Sequence, residues 1–179
     1  MNKKSMILSI AVIAAMTLLL FGTSQGLKKT AALNAEKELN EMLETLLPGN
    51  VSFTEEAYEG EDETIQKVYK GENGFVIETN VYGYAGDLRM LVGVSTEGKV
   101  TGLVVRDLSE TYGLGAKALT DTEFLSQFLN TSGEAEVGNS VDALSGATVS
   151  SKAVTRAVNA AVAYVTGADT SSSATTWGG

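Results

Sequence analysis

The chain has 179 residues, a formal net charge of −9 and a pI of about 4.5, so it lacks the positive footprint that a nucleic-acid binder needs. It contains no cysteine, which excludes disulfides, thiolate iron–sulfur ligation and a lipid-modified N-terminal cysteine. It contains no histidine either, which removes the usual general base and the commonest metal ligand, so chemistry here calls for a borrowed cofactor rather than a catalytic side-chain set or a metal site.

In chain order, Met6 to Phe21 form an almost wholly apolar run behind Lys3 and Lys4, the pattern of a short transmembrane helix or of a signal peptide. Gly22, Thr23 and Ser24 can extend it toward the ~20 residues of a typical span. No clean small-x-small cleavage site follows at once in Gly22 to Gly26, so residues 1–26 are expected to be an uncleaved membrane anchor. Lys28 and Lys29 balance Lys3 and Lys4, which leaves the orientation undecided by charge. Within residues 27–50, Ala32, Leu33, Leu39, Met42, Leu43, Leu46 and Leu47 recur at helical spacing before Pro48-Gly49, which predicts a juxtamembrane amphipathic helix. The acidic stretch Glu55, Glu56, Glu59, Glu61, Asp62, Glu63 lacks the spacing of a calcium loop and reads as solvated surface.

Residues 51–167 are expected to form one compact α+β domain, with a small antiparallel sheet and flanking helices. Strand signals cover Ile65 to Lys70, Phe75 to Asn80, Leu88 to Val94 and Val100 to Leu108, with turns at Glu72-Asn73-Gly74 and Thr96-Glu97-Gly98. Thr120 and Glu123 form a capping-box pattern before a helix near Phe124 to Leu129. A last helix is predicted from about Ser150 to Val165, with Val154, Val158, Ala161 and Val165 on one face and Gly167 as its cap. Residues 168–179 are polar and rich in Ser, Thr and Gly, the composition of a disordered tail.

Three clusters could carry chemistry. The best is Asp142-Ala143-Leu144-Ser145-Gly146-Ala147-Thr148, just ahead of the last helix: its small residues allow close backbone approach, and a helix N-terminus offers N–H groups and a positive dipole end to a phosphate. Taken alone it reads first as an ordinary loop with Thr148 or Ser150 as N-cap. Ser109 to Lys117 is a second glycine-rich segment, and its Gly113, Gly115 and Ala118 imitate a dinucleotide-binding turn. The hairpin signals before it and the lack of a strand after it exclude the parallel β-α-β unit such a turn requires, leaving a plain connection or one wall of a ligand pocket. Tyr82-Gly83-Tyr84-Ala85-Gly86 reads as a hairpin or bulge.

From about Val81 to Ala163 these pieces resemble the FMN-binding domain shared by the G subunit of Rnf-type electron-transport complexes and the C subunit of the sodium-pumping NADH:quinone reductase. The resemblance rests on the aromatic/glycine hairpin, the strand pair after it, Glu110-Thr111-Tyr112-Gly113-Leu114-Gly115 where the family has Glu-Thr-Pro-Gly-Leu-Gly, and Ser145-Gly146-Ala147-Thr148 before a helix. Tyr112 replaces the family's proline, which bears on loop rigidity. The resemblance implies FMN joined covalently to Thr148 by a phosphodiester bond, with Asp142, Ser145, Gly146 and Ala147 around the linkage and Glu110, Thr111, Gly113, Leu114 and Gly115 along the isoalloxazine ring. A threonine hydroxyl without an activating base needs help, so a separate flavin transferase using FAD and a divalent metal is also implied. So are partner subunits, a single-pass location in the cytoplasmic membrane with the N-terminus inside and the FMN domain outside, and electron transfer within a ferredoxin:NAD oxidoreductase coupled to sodium or proton movement. The chain's length favours the G subunit over the longer C subunit. Two other readings stay open at this point: a stand-alone extracytoplasmic flavoprotein, and a membrane-tethered interaction module without redox chemistry.

Overall fold

The computed structural model describes residues 30–31, 33–84, 86–108 and 120–168, and the apolar run 6–21 and the polar tail lie outside them. No helix among the described residues is long and apolar enough to cross a membrane. Residues 33–46 form helix α1, whose surface carries the one-turn pair Lys37–Glu41 at 3.6 Å. The chain divides into two compact units at Glu41/Met42, and the larger holds all the strands.

Five strands follow: β1 (Thr54–Glu56), β2 (Ile65–Lys70), β3 (Gly74–Tyr82), β4 (Asp87–Ser95) and β5 (Val100–Leu108). They pair in sequence order, each antiparallel to the next. β2 and β5 have the bounds expected from sequence, whereas β3 and β4 are each longer at both ends. The added residues include Tyr82 and Asp87, which pair across the hairpin closed by the Gly83 N–H donating to the Gly86 carbonyl at 2.8 Å. β1 falls where sequence suggested only solvated acid. Its Glu55 and Glu56 meet Lys67 at 2.9 Å and Lys70 at 3.1 Å, so a three-residue, charged edge closes the sheet.

Two short-range details also differ from expectation. Helix α2 (Thr122–Ser126) is capped by Asp121, whose carboxylate accepts from the Glu123 and Phe124 N–H groups at 3.0 Å each, not by the Thr120 box. Helix α3 (Thr148–Thr166) begins two residues earlier than its apolar stripe suggests, at an Ala147 N-cap that has no side-chain oxygen to offer. Gly167 ends α3 in the left-handed conformation, as expected.

The core lies between the sheet and α3. On β3, Phe75, Ile77 and Val81 face Val94, Val92 and Leu88 of β4, and this row meets Val154, Ala157, Val158 and Ala161 of α3. The small helix residues let α3 lie close to the sheet. On the opposite face, Leu46 and Leu47 close over Gly74, Gly93 and Gly102. A Cβ at Gly93 would collide with the Leu46 carbonyl, so glycine is required there by close backbone approach. Just past Leu47, the buried Asn50 ties this end together: its amide nitrogen donates to the Leu47 carbonyl at 2.9 Å, and its oxygen accepts from the Glu72 N–H at 2.6 Å and the Asn73 N–H at 3.2 Å.

The direction of α3 fixes which residues share an end of the domain. Its last turn meets the strand end marked by Phe75 and Gly98, with Tyr164 edge-on to Phe75 and Thr166 beside Gly98. Thr148 lies 16 residues before Tyr164, about 24 Å back along the axis, and about the same distance separates Phe75 from Tyr82 along β3. The start of α3 therefore lies toward the β3–β4 hairpin end of the sheet, away from Asn50.

Candidate functional site

The segment from Asp142 to Thr148 is anchored at each end by an apolar residue, Val141 at 1% and Ala147 at 5% exposure. Between these anchors Asp142, Ser145 and Gly146 are exposed while Ala143 and Leu144 are half-buried. Gly146 has φ +79°, a left-handed conformation that turns the chain into the helix and that a β-carbon would strain. Asp142, Ser145, Gly146, Ala147 and Thr148 thus lie in one short surface loop at a helix start. The other sequence-predicted residues, Glu110, Thr111, Gly113, Leu114 and Gly115, lie outside the described residues.

Four hydroxyls crowd this point, and burial separates them. Ser150 and Ser151 are both fully buried, at 0% exposure, whereas Ser145 and Thr148 reach the surface. Thr148 is the first helical residue, not the N-cap, so its side chain is not used as the cap that a plain loop would make of it.

The helix start is also electrostatically suited to an anion. The N-cap makes no side-chain hydrogen bond and the first turn has no acidic residue, so N–H groups and the positive end of a 19-residue helix are not offset there by a carboxylate of the helix itself. Exposed Lys152 and Arg156 follow Thr148 at successive one-turn spacings and extend the positive character along the same face. A phosphate with a small-residue approach on one side and a lysine one turn away fits this surface.

Two residues that no sequence motif singles out hold the loop from outside it. Gln127, the C-cap residue of α2, grips the main chain of Asp142 with both ends of its amide: the Asp142 N–H donates to Gln127 Oε1 at 2.8 Å, and Gln127 Nε2 donates to the Asp142 carbonyl at 3.4 Å. Ser151 Oγ accepts from the Leu144 N–H at 3.2 Å and donates to the Ala147 carbonyl at 3.0 Å. Both contacts are to backbone, so neither leaves a residue pattern along the chain.

Residues 83–163 match the FMN-binding domain family. The G subunit of the ion-translocating oxidoreductase complex of Methanosarcina acetivorans is 34% identical over 175 residues, spanning 90% of this chain and 91% of that one. The G subunit of the Na(+)-translocating ferredoxin:NAD(+) oxidoreductase complex of Acetobacterium woodii is 33% identical over 114 residues, 56% of this chain and 55% of its own. The proton-translocating counterpart of Clostridium ljungdahlii is 37% identical over 99 residues, 51% of this chain and 53% of its own. The second and third likenesses are confined to about half of each chain, but the first runs along nearly the whole of both, and on that footing the chain belongs to the G-subunit family of ion-translocating oxidoreductase complexes.

Proposed function

We propose that this chain is the flavin-carrying G subunit of an Rnf-type ferredoxin:NAD oxidoreductase, with FMN joined to Thr148 by a phosphodiester bond. The observation that carries the linkage is the placement of Thr148: an exposed hydroxyl on the first residue of a helix without a side-chain cap, with Ser150 and Ser151 buried beside it. When bound, FMN supplies the capacity to accept electrons from one partner and deliver them to another. The chain's own part is to hold it. The first-turn N–H groups and Lys152 would take the phosphate, Ser145, Gly146 and Ala147 would let it approach, and Glu110, Thr111, Gly113, Leu114 and Gly115 would by the family pattern line the ring.

Attachment requires a separate flavin transferase, because nothing among the described residues of the site can act as a strong base toward Thr148. Thr148 Oγ forms the bond to the FMN-side phosphorus of FAD, the pyrophosphate P–O bond breaks, AMP leaves, and the hydroxyl proton passes to a base of the transferase. The same reading puts residues 1–26 in the cytoplasmic membrane as a single-pass anchor, with the N-terminus inside and the FMN domain outside. Its working partners are the other subunits of the complex, and the coupled ion is sodium or a proton, the two named for relatives of this chain.

The test is Thr148→Ala in the full chain, co-produced with a flavin transferase and run on a denaturing gel. The parent should fluoresce after denaturation, with the adduct mapping to Thr148, and the variant should be dark while remaining folded. Thr148 caps nothing and alanine is the better helix former, so the substitution costs no cap hydrogen bond and should leave the domain folded. A variant that still fluoresces, or an adduct on Ser145, would overturn the assignment.

A further inference from the structure

We infer that Gln127 is a positioning residue for flavin transfer: from outside the attachment motif it presets the Asp142–Thr148 loop in the form a flavin transferase must engage. The inference rests on the proposed attachment at Thr148 and adds to it the device that makes the loop ready.

The loop has little of its own to hold it. Asp142, Ser145 and Gly146 are exposed, and Gly146 is the residue type with the most backbone freedom to lose. The apolar anchors Val141 and Ala147 fix its ends. Inside those ends the structure supplies hydrogen bonds from two helices. Ser151, one turn into α3, fixes Leu144 and Ala147, which secures the half of the loop next to Thr148. The half containing Asp142 is fixed from the end of α2, by the two bonds of the Gln127 amide.

The Gln127 amide suits this because it offers an acceptor and a donor in one plane, and so meets the Asp142 N–H and carbonyl as a neighbouring β-strand would. The 2.8 Å bond is the stronger contact and the 3.4 Å bond the weaker, so the acceptor oxygen matters most. With its main chain held on both sides, Asp142 presents its carboxylate to solvent at a set place relative to Thr148. Group transfer between two proteins is sensitive to such placement, since a misplacement of about 1 Å can cost on the order of 100-fold in rate.

The experiment measures loading of the full chain in detergent by a purified flavin transferase with FAD and magnesium, read as covalent flavin fluorescence against time at several chain concentrations. Gln127→Ala should lower kcat/KM for loading about 10-fold or more, while thermal unfolding followed by circular dichroism stays close to that of the parent. Loading at the parent's rate by a folded Gln127→Ala chain overturns the inference. If Gln127→Ala does not fold, Gln127→Met decides: it keeps the length of the side chain without the amide that bonds Asp142, so it should load about 10-fold or more slower than the parent, and loading at the parent's rate overturns the inference. Gln127→Glu keeps the acceptor for the Asp142 N–H, the stronger of the two contacts, and should recover most of the parent's loading; a folded Gln127→Glu chain that loads no faster than Gln127→Met also overturns the inference. Failure of the parent itself to load at Thr148 would sink the attachment reading instead, so the two failures are distinct.

Discussion

Thr148, Ser145, Ser150 and Ser151 are nearly equal as chemistry, and only their environments rank them. Ser151 has both its donor and its acceptor committed to the loop, and removing it would free the Leu144 N–H and the Ala147 carbonyl together. The same dependence on surroundings appears at Tyr69, a buried phenol whose hydroxyl reaches Glu78 at 3.4 Å while Arg106 approaches the same carboxylate at 3.6 Å. Burial first, and then the Glu78 charge, raise the Tyr69 pKa above the ordinary 10.0. A raised pKa means that folding favours the neutral phenol. The stability this confers is fully present below the unfolded value and is lost as pH rises through the folded one. Tyr69→Phe should therefore flatten the alkaline fall in stability, measured by urea unfolding from neutral pH to above about pH 10, and should remove a late component from the tyrosine absorbance titration. Some alkaline loss should remain, because burial and then Glu56 raise Tyr164 as well. An unchanged alkaline limb in Tyr69→Phe would show that the phenol titrates as if exposed. The candidate loop Asp142 to Thr148 was visible in the sequence because small residues before a helix form a local pattern. The hold of Gln127 on that loop was not visible, because it acts across 15 positions on backbone atoms that every residue possesses.

At the scale of elements, the four long strands were legible because alternation and glycine turns are written locally, and Ile65–Lys70 and Val100–Leu108 have the expected bounds. β1 was not, since three polar residues carry no periodicity and the strand exists through its backbone pairing with Val68, Tyr69 and Lys70 of β2. The start of α3 was misplaced because an alanine N-cap gives no sequence signal and the buried stripe begins inside the helix. The packing of the end of α1 on the sheet was legible only from one side: Leu43, Leu46 and Leu47 marked an apolar stripe, but the gap they fill is made by glycines of β4 and β5. Gly93→Ala tests that contact. The added methyl meets the Leu46 backbone, not a movable side chain, so the helix end must shift, at a cost of about 1–3 kcal/mol. A lower urea midpoint with an unchanged slope is expected. A midpoint equal to the parent's would mean that Leu46 does not lie against β4 in solution.

For the molecule as a whole, the apolar run 6–21 is expected to remain attached and to hold the chain in the membrane. Carbonate-washed membranes should retain the protein, with an intact mass that includes residues 1–26. A mature chain starting after about Ser24 in the soluble fraction would contradict this. Within the larger unit, the Asn50 tie lies at one end of the strands and Thr148 toward the other, about 24 Å along the α3 axis from Tyr164. A pull on the upstream segment is met first by Leu46 and Leu47 against the strand glycines and by the Thr101 hydroxyl bonded to the Leu46 carbonyl, and then by Asn50 and its bonds to the Glu72–Asn73 turn. It would have to travel the length of the strands, across their transverse hydrogen bonds, before reaching the Asp142–Thr148 loop. Mechanical load on the upstream segment is therefore taken up at the end of the domain away from the Asp142–Thr148 loop.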